Sequence, residues 1–243
     1  MPTISDTEPA DRGCGAATFA EVREAARSQG LACRGGFHPE PRDAVPDLPD
    51  GRPVRTLILL GNAGPAMWDA FRAAGDALLD EWSRRVIDGL AAALGGHALF
   101  PFERPYLPFQ RWACRAEPCF SSPLGILIHP DYGLWHGYRG ALAFARRLDL
   151  PPGDGRANPC ESCIERPCLS ACPVAAFSPD GFDVSACAAH VGRPQGRDCL
   201  ELGCRARRAC PVGRTFRYRP AQAEFHMRSF ERRHRPPRAA GAS

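Results

Sequence analysis

"NPCESCIERPCLSACPVAAF", residues 158 to 177, places four cysteines within thirteen positions and follows the last of them with proline. No other stretch limits the fold as strongly, because thiols this close in sequence either bridge one another or surround a metal centre. The series runs Cys160-x2-Cys163-x4-Cys168-x3-Cys172-Pro, then Cys187, then Cys199-x4-Cys204-x5-Cys210-Pro. Eight of the 12 cysteines therefore fall between positions 160 and 210, which makes this segment a ligand-bearing unit rather than an ordinary core. The N-terminus, "MPTISDTEPADRG", has neither the basic start nor the apolar stretch of a secretory signal, so the reducing cytoplasm is the expected compartment and metal ligation the expected use.

"CLSACPVAAF" and "CRARRACPVGRTF" echo one another, each with a Cys-Pro ending. This near-repeat resembles a two-cluster bacterial ferredoxin, in which each block gives three thiolates to one cluster and its Cys-Pro cysteine to the other. The crossing rule then implies two [4Fe-4S] clusters, one on Cys160, Cys163, Cys168 and Cys210, the other on Cys172, Cys187, Cys199 and Cys204. The gaps of four and five residues are longer than in the simple ferredoxin, so bulged loops are expected. A four-cysteine zinc site and a disulfide framework are the alternatives that the same thiols allow. Cys14, Cys33, Cys114 and Cys119 lie outside the pattern and read as ordinary thiols.

Composition narrows the chemistry. The 243 residues include no lysine, which excludes a lysine Schiff base and a P-loop. Net charge is only +4, and the positive charge gathers near the end in "RSFERRHRPPR", which reads as a solvated basic tail. No apolar run approaches the roughly 20 residues of a membrane span.

Ahead of the cysteines, strands and helices alternate. "TFAEVREAARSQG" has capping-box spacing between Thr18 and Glu21 and predicts a helix closed near Gly30. "LACRGGF" suggests a short strand, and the β-branched and leucine run at 54 to 60 a buried one that ends in the turn "GNAGP". Helical spacing over 66 to 94 divides into two helices. "HALFPF" and "LGILIHP" are strand candidates, whereas "GYRGALAF" is compatible with a strand or a short helix. Proline and glycine in "LDLPPGDGRANP" mark a connection. The expected organisation is a flexible N-terminus at 1–15, a cofactor or docking domain at 16–150, a linker at 151–157, the cysteine unit at 158–219, and a C-terminal helix with basic tail at 220–243.

"SSPLGILIHPDYGLWHGYRGALAFARRLDLP" carries, in order, His129, Pro130, Tyr132, Gly133, Trp135, Arg139 and Gly140. This segment resembles the CblC-type cobalamin-processing proteins, and together with the following cysteine block it is similar to epoxyqueuosine reductase, a cobalamin and iron-sulfur enzyme acting on tRNA. The resemblance implies an α+β architecture: an N-terminal α/β domain of the nitroreductase-like, CblC-type kind, then a ferredoxin-like 2[4Fe-4S] domain. It implies cobalamin held by His129, Tyr132, Gly133, Trp135 and Arg139, and it includes Cys187 among the cluster ligands. From the residues alone, the same aromatic and basic side chains could line a pocket, but such a pattern is more often core packing with polar tips satisfied. No Asp-x-His-x-x-Gly stretch occurs, so cobalamin with a histidine in place of its nucleotide base is not indicated. Where epoxyqueuosine reductase carries an aspartate proton donor this chain reads "ERPYLPFQRWA", with no aspartate.

The expected function is an iron-sulfur redox protein, a reductase passing electrons from two clusters to cobalamin or a similar cofactor. The alternative is a ferredoxin-type carrier whose N-terminal domain docks a partner. Expected partners are a redox protein and a small-molecule or corrinoid substrate, with neither membrane nor nucleic acid among them.

Overall fold

A computed structural model of the chain describes residues 17–234. The expected flexible start, Cys14 and the tail beyond residue 234 lie outside the described residues. Helix α1 (Phe19–Ser28) opens on the capping box: Thr18 Oγ1 accepts from the Glu21 N–H, and the Glu21 carboxylate accepts from the Thr18 N–H. Strands β1 (Ala32–Phe37) and β2 (Thr56–Ala63) follow, then helices α2 (Ala66–Ala74) and α3 (Leu79–Leu94), separated by Gly75. Next come β3 (His97–Leu99), α4 (Phe109–Ala116), the small hairpin β4 (Phe120–Ser121) and β5 (Leu127–Ile128), and β6 (His136–Phe144).

The main sheet has the order β1-β2-β6-β3 and is antiparallel throughout, which makes the fold α+β. "GYRGALAF" is thus a strand, and a central one, because its alternate apolar residues meet cores on both faces. On one face Ile58, Leu60, Leu142 and Phe144 pack against α1, α2 and α3. On the other, Leu57, Leu59, Ala141 and Ala143 pack with Phe109 and Trp112 of α4. Two buried faces explain why β2 reads as an unbroken apolar run instead of alternating. "HALFPF" and "LGILIHP" yield only three and two paired residues, shorter than their sequence suggests, because β3 runs along one end of β6 and β5 pairs only with β4.

Two bulges interrupt the sheet. Cys33 pairs with Leu60 and Gly36 with Ile58, leaving two β1 residues opposite one, and Gly35 takes φ +74 there. On β6, Gly140 pairs with Leu60 and Tyr138 with Gly61, so Arg139 is skipped. A bulge re-aims the side chains beside it. Here the two bulges carry Arg34 and Arg139.

The cysteine unit contains α5 (Pro167–Ser170), the hairpin β7 (Phe177–Ser178) and β8 (Gly181–Phe182), α6 (Val184–Val191), α7 (Arg197–Leu202) and α8 (Arg205–Ala209). Helix α9 (Pro220–His234) packs on α6 and α7 and inserts Phe225 between Trp68 and Phe71, clamping the unit to the sheet domain. A second clamp is backbone against backbone: Gly133, at φ +56, lies on the Val212 carbonyl, and Gly213 lies on Tyr132. A Cβ at either glycine would collide with that backbone. No helix among the described residues is long and apolar enough to cross a membrane.

Candidate functional site

The eight cysteines of the unit are free thiols, and they sort into two groups of four. Burial, then the neighbouring Cys210, Cys168 and Cys163, push the Cys160 thiol up to about 11. Burial, then Cys204, Cys172 and Cys199, push Cys187 up to about 12. Charge on the Cys160 or the Cys187 thiolate therefore opposes charge on three neighbouring cysteines, a repulsion that a cationic centre would relieve. Backbone amides already face the sulfurs. The Ala176 N–H donates to Cys172 Sγ at 3.3 Å, the amides of Arg207 and Ala206 favour the Cys204 thiolate, and the Val212 amide favours that of Cys210. The soft thiol set and the inward amides are of the kind that suits iron-sulfur ligation. Among the described residues no group of three or more His, Cys, Asp or Glu is arranged to hold a metal ion.

Cys168 and Cys210 share an apolar cluster with Leu124, Ile128, Leu134 and Ala206. Leu134 also lines a cavity of about 390 Å³ at the junction with the sheet domain. Asn62 of β2, His136 and Arg139 of β6, Arg207 of α8, and Tyr218 and His226 near the chain's end shape its polar wall. The β6 bulge brings four consecutive residues, His136 to Arg139, to this wall. Arg207 is gripped between two rings, 4.5 Å from the centroid of Trp135 and 4.5 Å from that of Tyr218, while its Nε donates to the Leu134 carbonyl at 2.9 Å. The Tyr218 hydroxyl accepts from Asn62 Nδ2 at 2.7 Å.

Of the five residues assigned to cofactor binding by resemblance, Arg139 lines the cavity, where it also pairs with Asp80 and donates to Ser83. His129, Tyr132, Gly133 and Trp135 are not among the residues that line it. His129 is buried; its Nδ1 accepts from the N–H groups of Asp131 and Tyr132, and its ring stacks on Tyr132 at 4.3 Å. Tyr132 meets Phe216 edge-on, and Gly133 makes the backbone contact with Val212. Trp135, only 2% exposed, supports Arg207 from below, and its Nε1 is buried with no hydrogen-bond partner.

Behind the cavity is a charged centre with no separate motif to announce it. Arg34 is fully buried and pairs with Glu117 at 2.6 Å, whose side chain is 10% exposed. Arg34 also donates to the Asn62 carbonyl at 2.7 Å and to His136 Nδ1 at 3.1 Å. Glu117 Oε1 accepts from the Tyr138 hydroxyl at 2.6 Å, with Cys119 Sγ 3.0 Å from the same hydroxyl. The His136 Nε2–H donates to the Leu127 carbonyl, which fixes a neutral tautomer. Burial, then Arg34, press the His136 pKa down to about 3; burial, then Arg207 and Arg139, press that of His226 down to about 4. Burial, followed by the Glu117 charge, pushes the Cys119 thiol up to about 12, so it stays protonated, an inert structural thiol. In sequence, the only trace of this centre is the Gly35–Gly36 pair after Arg34, a bulge signal.

No family model matches the chain, and no curated protein matches it. Among solved structures it is similar to epoxyqueuosine reductase from Streptococcus thermophilus, at 16% identity and TM-score 0.47 over 84% of this chain and 69% of that one. The same figures describe its likeness to epoxyqueuosine reductase from Bacillus subtilis. A third similar structure is epoxyqueuosine reductase crystallised with a tRNA-Tyr epoxyqueuosine-modified stem loop, at 16% identity and TM-score 0.47 over 83% of this chain and 66% of that one. In that complex the partner of the similar protein is nucleic acid, against the expectation here that nucleic acid is not among the partners. The expectation rests on a missing aspartate and on reading the C-terminal arginines as a solvated tail.

Proposed function

We propose that the chain is an iron-sulfur reductase. Two [4Fe-4S] clusters, on Cys160, Cys163, Cys168 and Cys210 and on Cys172, Cys187, Cys199 and Cys204, supply electrons to an acceptor in the junction cavity. The observation that carries this reading is the position of Leu134, which belongs to the apolar cluster that contains Cys168 and Cys210 and also lines the cavity. The first thiol group and the space where an acceptor would sit thus share a wall residue.

The acceptor is a cobalamin or a similar cofactor. A cavity of about 390 Å³ lies near the lower end for drug-sized ligands and would take the edge of a corrinoid, with the remainder toward solvent. Its amide, hydroxyl and guanidinium groups, from Asn62, Tyr218, Arg139 and Arg207, suit the amide-bearing rim of such a ligand. When bound, cobalamin supplies the reducing bond chemistry, and the protein supplies orientation and charge. His129, Tyr132, Gly133 and Trp135 act from behind, holding the junction in register. The test is anaerobic titration of the cluster-loaded chain with a cobalamin, followed by visible absorbance and EPR. Saturable binding with a base-off spectrum, weakened in Arg139→Gln, is the expected result; no binding of cobalamin or flavin counts against a reductase.

A ferredoxin-type carrier is the second reading. Ile164 is 95% exposed immediately after Cys163, with Leu169 and Val174 exposed nearby, an apolar rim of the kind used for brief docking. That reading predicts both clusters and no second cofactor.

A further inference from the structure

We infer that the junction cavity recognises an oxyanion, so that the acceptor reduced there bears a carboxylate or a phosphate group. The inference rests on the reductase reading for the word acceptor, but not for the binding itself. Its first basis is the charge of the wall. Arg139 and Arg207 line the cavity, and no aspartate or glutamate does. Arg139 is balanced by Asp80, whereas Arg207 takes part in no ion pair among the described residues. Its contacts are the Leu134 carbonyl and the two rings, and its Nη1 donates to no group among the described residues. A partly buried guanidinium without a counter-charge is costly, and a bound anion compensates that cost.

The second basis is donor polarity. Because the Tyr218 oxygen already accepts from Asn62 Nδ2, its own O–H is free to donate. Gln110 and the uncharged His226 add further N–H groups to the wall. Arg207 already rests on both the Trp135 and Tyr218 rings and bonds to the Leu134 carbonyl, so less rotamer freedom is left to lose when it receives a ligand. Planar guanidinium donors backed by a hydroxyl can pair bidentately with a carboxylate or a phosphate. Arg207 also sits between Cys204 and Cys210 in sequence, so the same residue that would hold the anion is anchored to both thiol groups.

The test is calorimetric titration of the cluster-loaded chain with inorganic pyrophosphate and, separately, with succinate, iron and sulfide being counted on the same samples. Saturable binding of either probe is expected; which one binds more tightly distinguishes a phosphate-bearing from a carboxylate-bearing acceptor. Arg207→Gln should weaken it about 10- to 100-fold, the loss of one charged hydrogen-bonding group. Tyr218→Phe keeps the ring under Arg207 and should weaken binding several-fold, and Arg232→Gln, on the exposed end of α9, should leave it unchanged. Binding of neither probe, or equal binding in Arg207→Gln, overturns the inference. Clusters present without anion binding would spare the reductase reading, whereas anion binding by a chain that takes up no iron would overturn that reading alone.

Discussion

The sheet domain and the cysteine unit are built from opposite resources. The sheet domain buries aliphatic and aromatic residues on both faces of β2 and β6, and even its charged centre, Arg34 with Glu117, is fully paired. In the cysteine unit the longest helix has eight residues, its hairpin strands have two each, and thiols make up much of its apolar cluster. Helices that short are marginal alone, and thiol packing is modest beside that of leucine and phenylalanine. The contrast teaches where the stability of each part resides. One region is held by what it buries, and the other is held by the metal centres proposed for it.

Removing iron should break the symmetry most sharply. Anaerobic chelation is expected to open residues 158–219 to protease while the sheet domain stays resistant; equal cutting of both would contradict the contrast. A smaller but still large effect belongs to the buried pair. Arg34→Leu leaves Glu117 without its partner and should cost about 3–5 kcal/mol in urea unfolding, much of it recovered when Glu117→Leu is added. Full cost persisting in the double variant would mean that packing, not charge, was lost. Next, Leu59→Ala should cost about 2–5 kcal/mol, whereas Ile164→Ala in the cysteine unit should change stability by less than about 0.5 kcal/mol.

The junction responds to pH. His136 and His226 are pressed down to about 3 and about 4, against about 6.5 when unfolded, so the unfolded chain binds more protons between those values. Stability from these two groups is present above about pH 6.5 and is lost as pH falls toward 4. Urea midpoints measured from pH 7.5 to 4.5 should decline, and less steeply in His136→Asn; parallel slopes would remove His136 from the account. A small effect of opposite sign is expected at Trp135→Phe, which deletes a buried N–H without a partner among the described residues and keeps the aromatic support for Arg207. Its stability should match or exceed the parent's by up to about 1 kcal/mol.

What the sequence made legible follows the same division. Local signals worked: the Thr18–Glu21 box, the apolar run of β2, and the break between α2 and α3 at Gly75 each depend on neighbours in sequence. Long-range features did not show. Arg34 and Glu117 are 83 residues apart, and Asn62 meets Tyr218 across 156, so neither pairing leaves a periodicity or a motif. "GYRGALAF" stayed ambiguous because a strand buried on both faces and a buried helix are equally apolar. The bulge that puts Arg139 on the cavity wall depends on register with β2, which a single strand's sequence does not specify.

The most direct test of the account is an iron and labile-sulfide count, with EPR, on the anaerobically reconstituted chain and on Cys210→Ser. Two [4Fe-4S] clusters predict about eight irons and eight sulfides, and loss of about half of each, with one EPR species surviving, in the variant. Stoichiometric zinc without labile sulfide, or a Cys210→Ser chain that keeps all its iron, would contradict the assignment of two clusters beside the cavity.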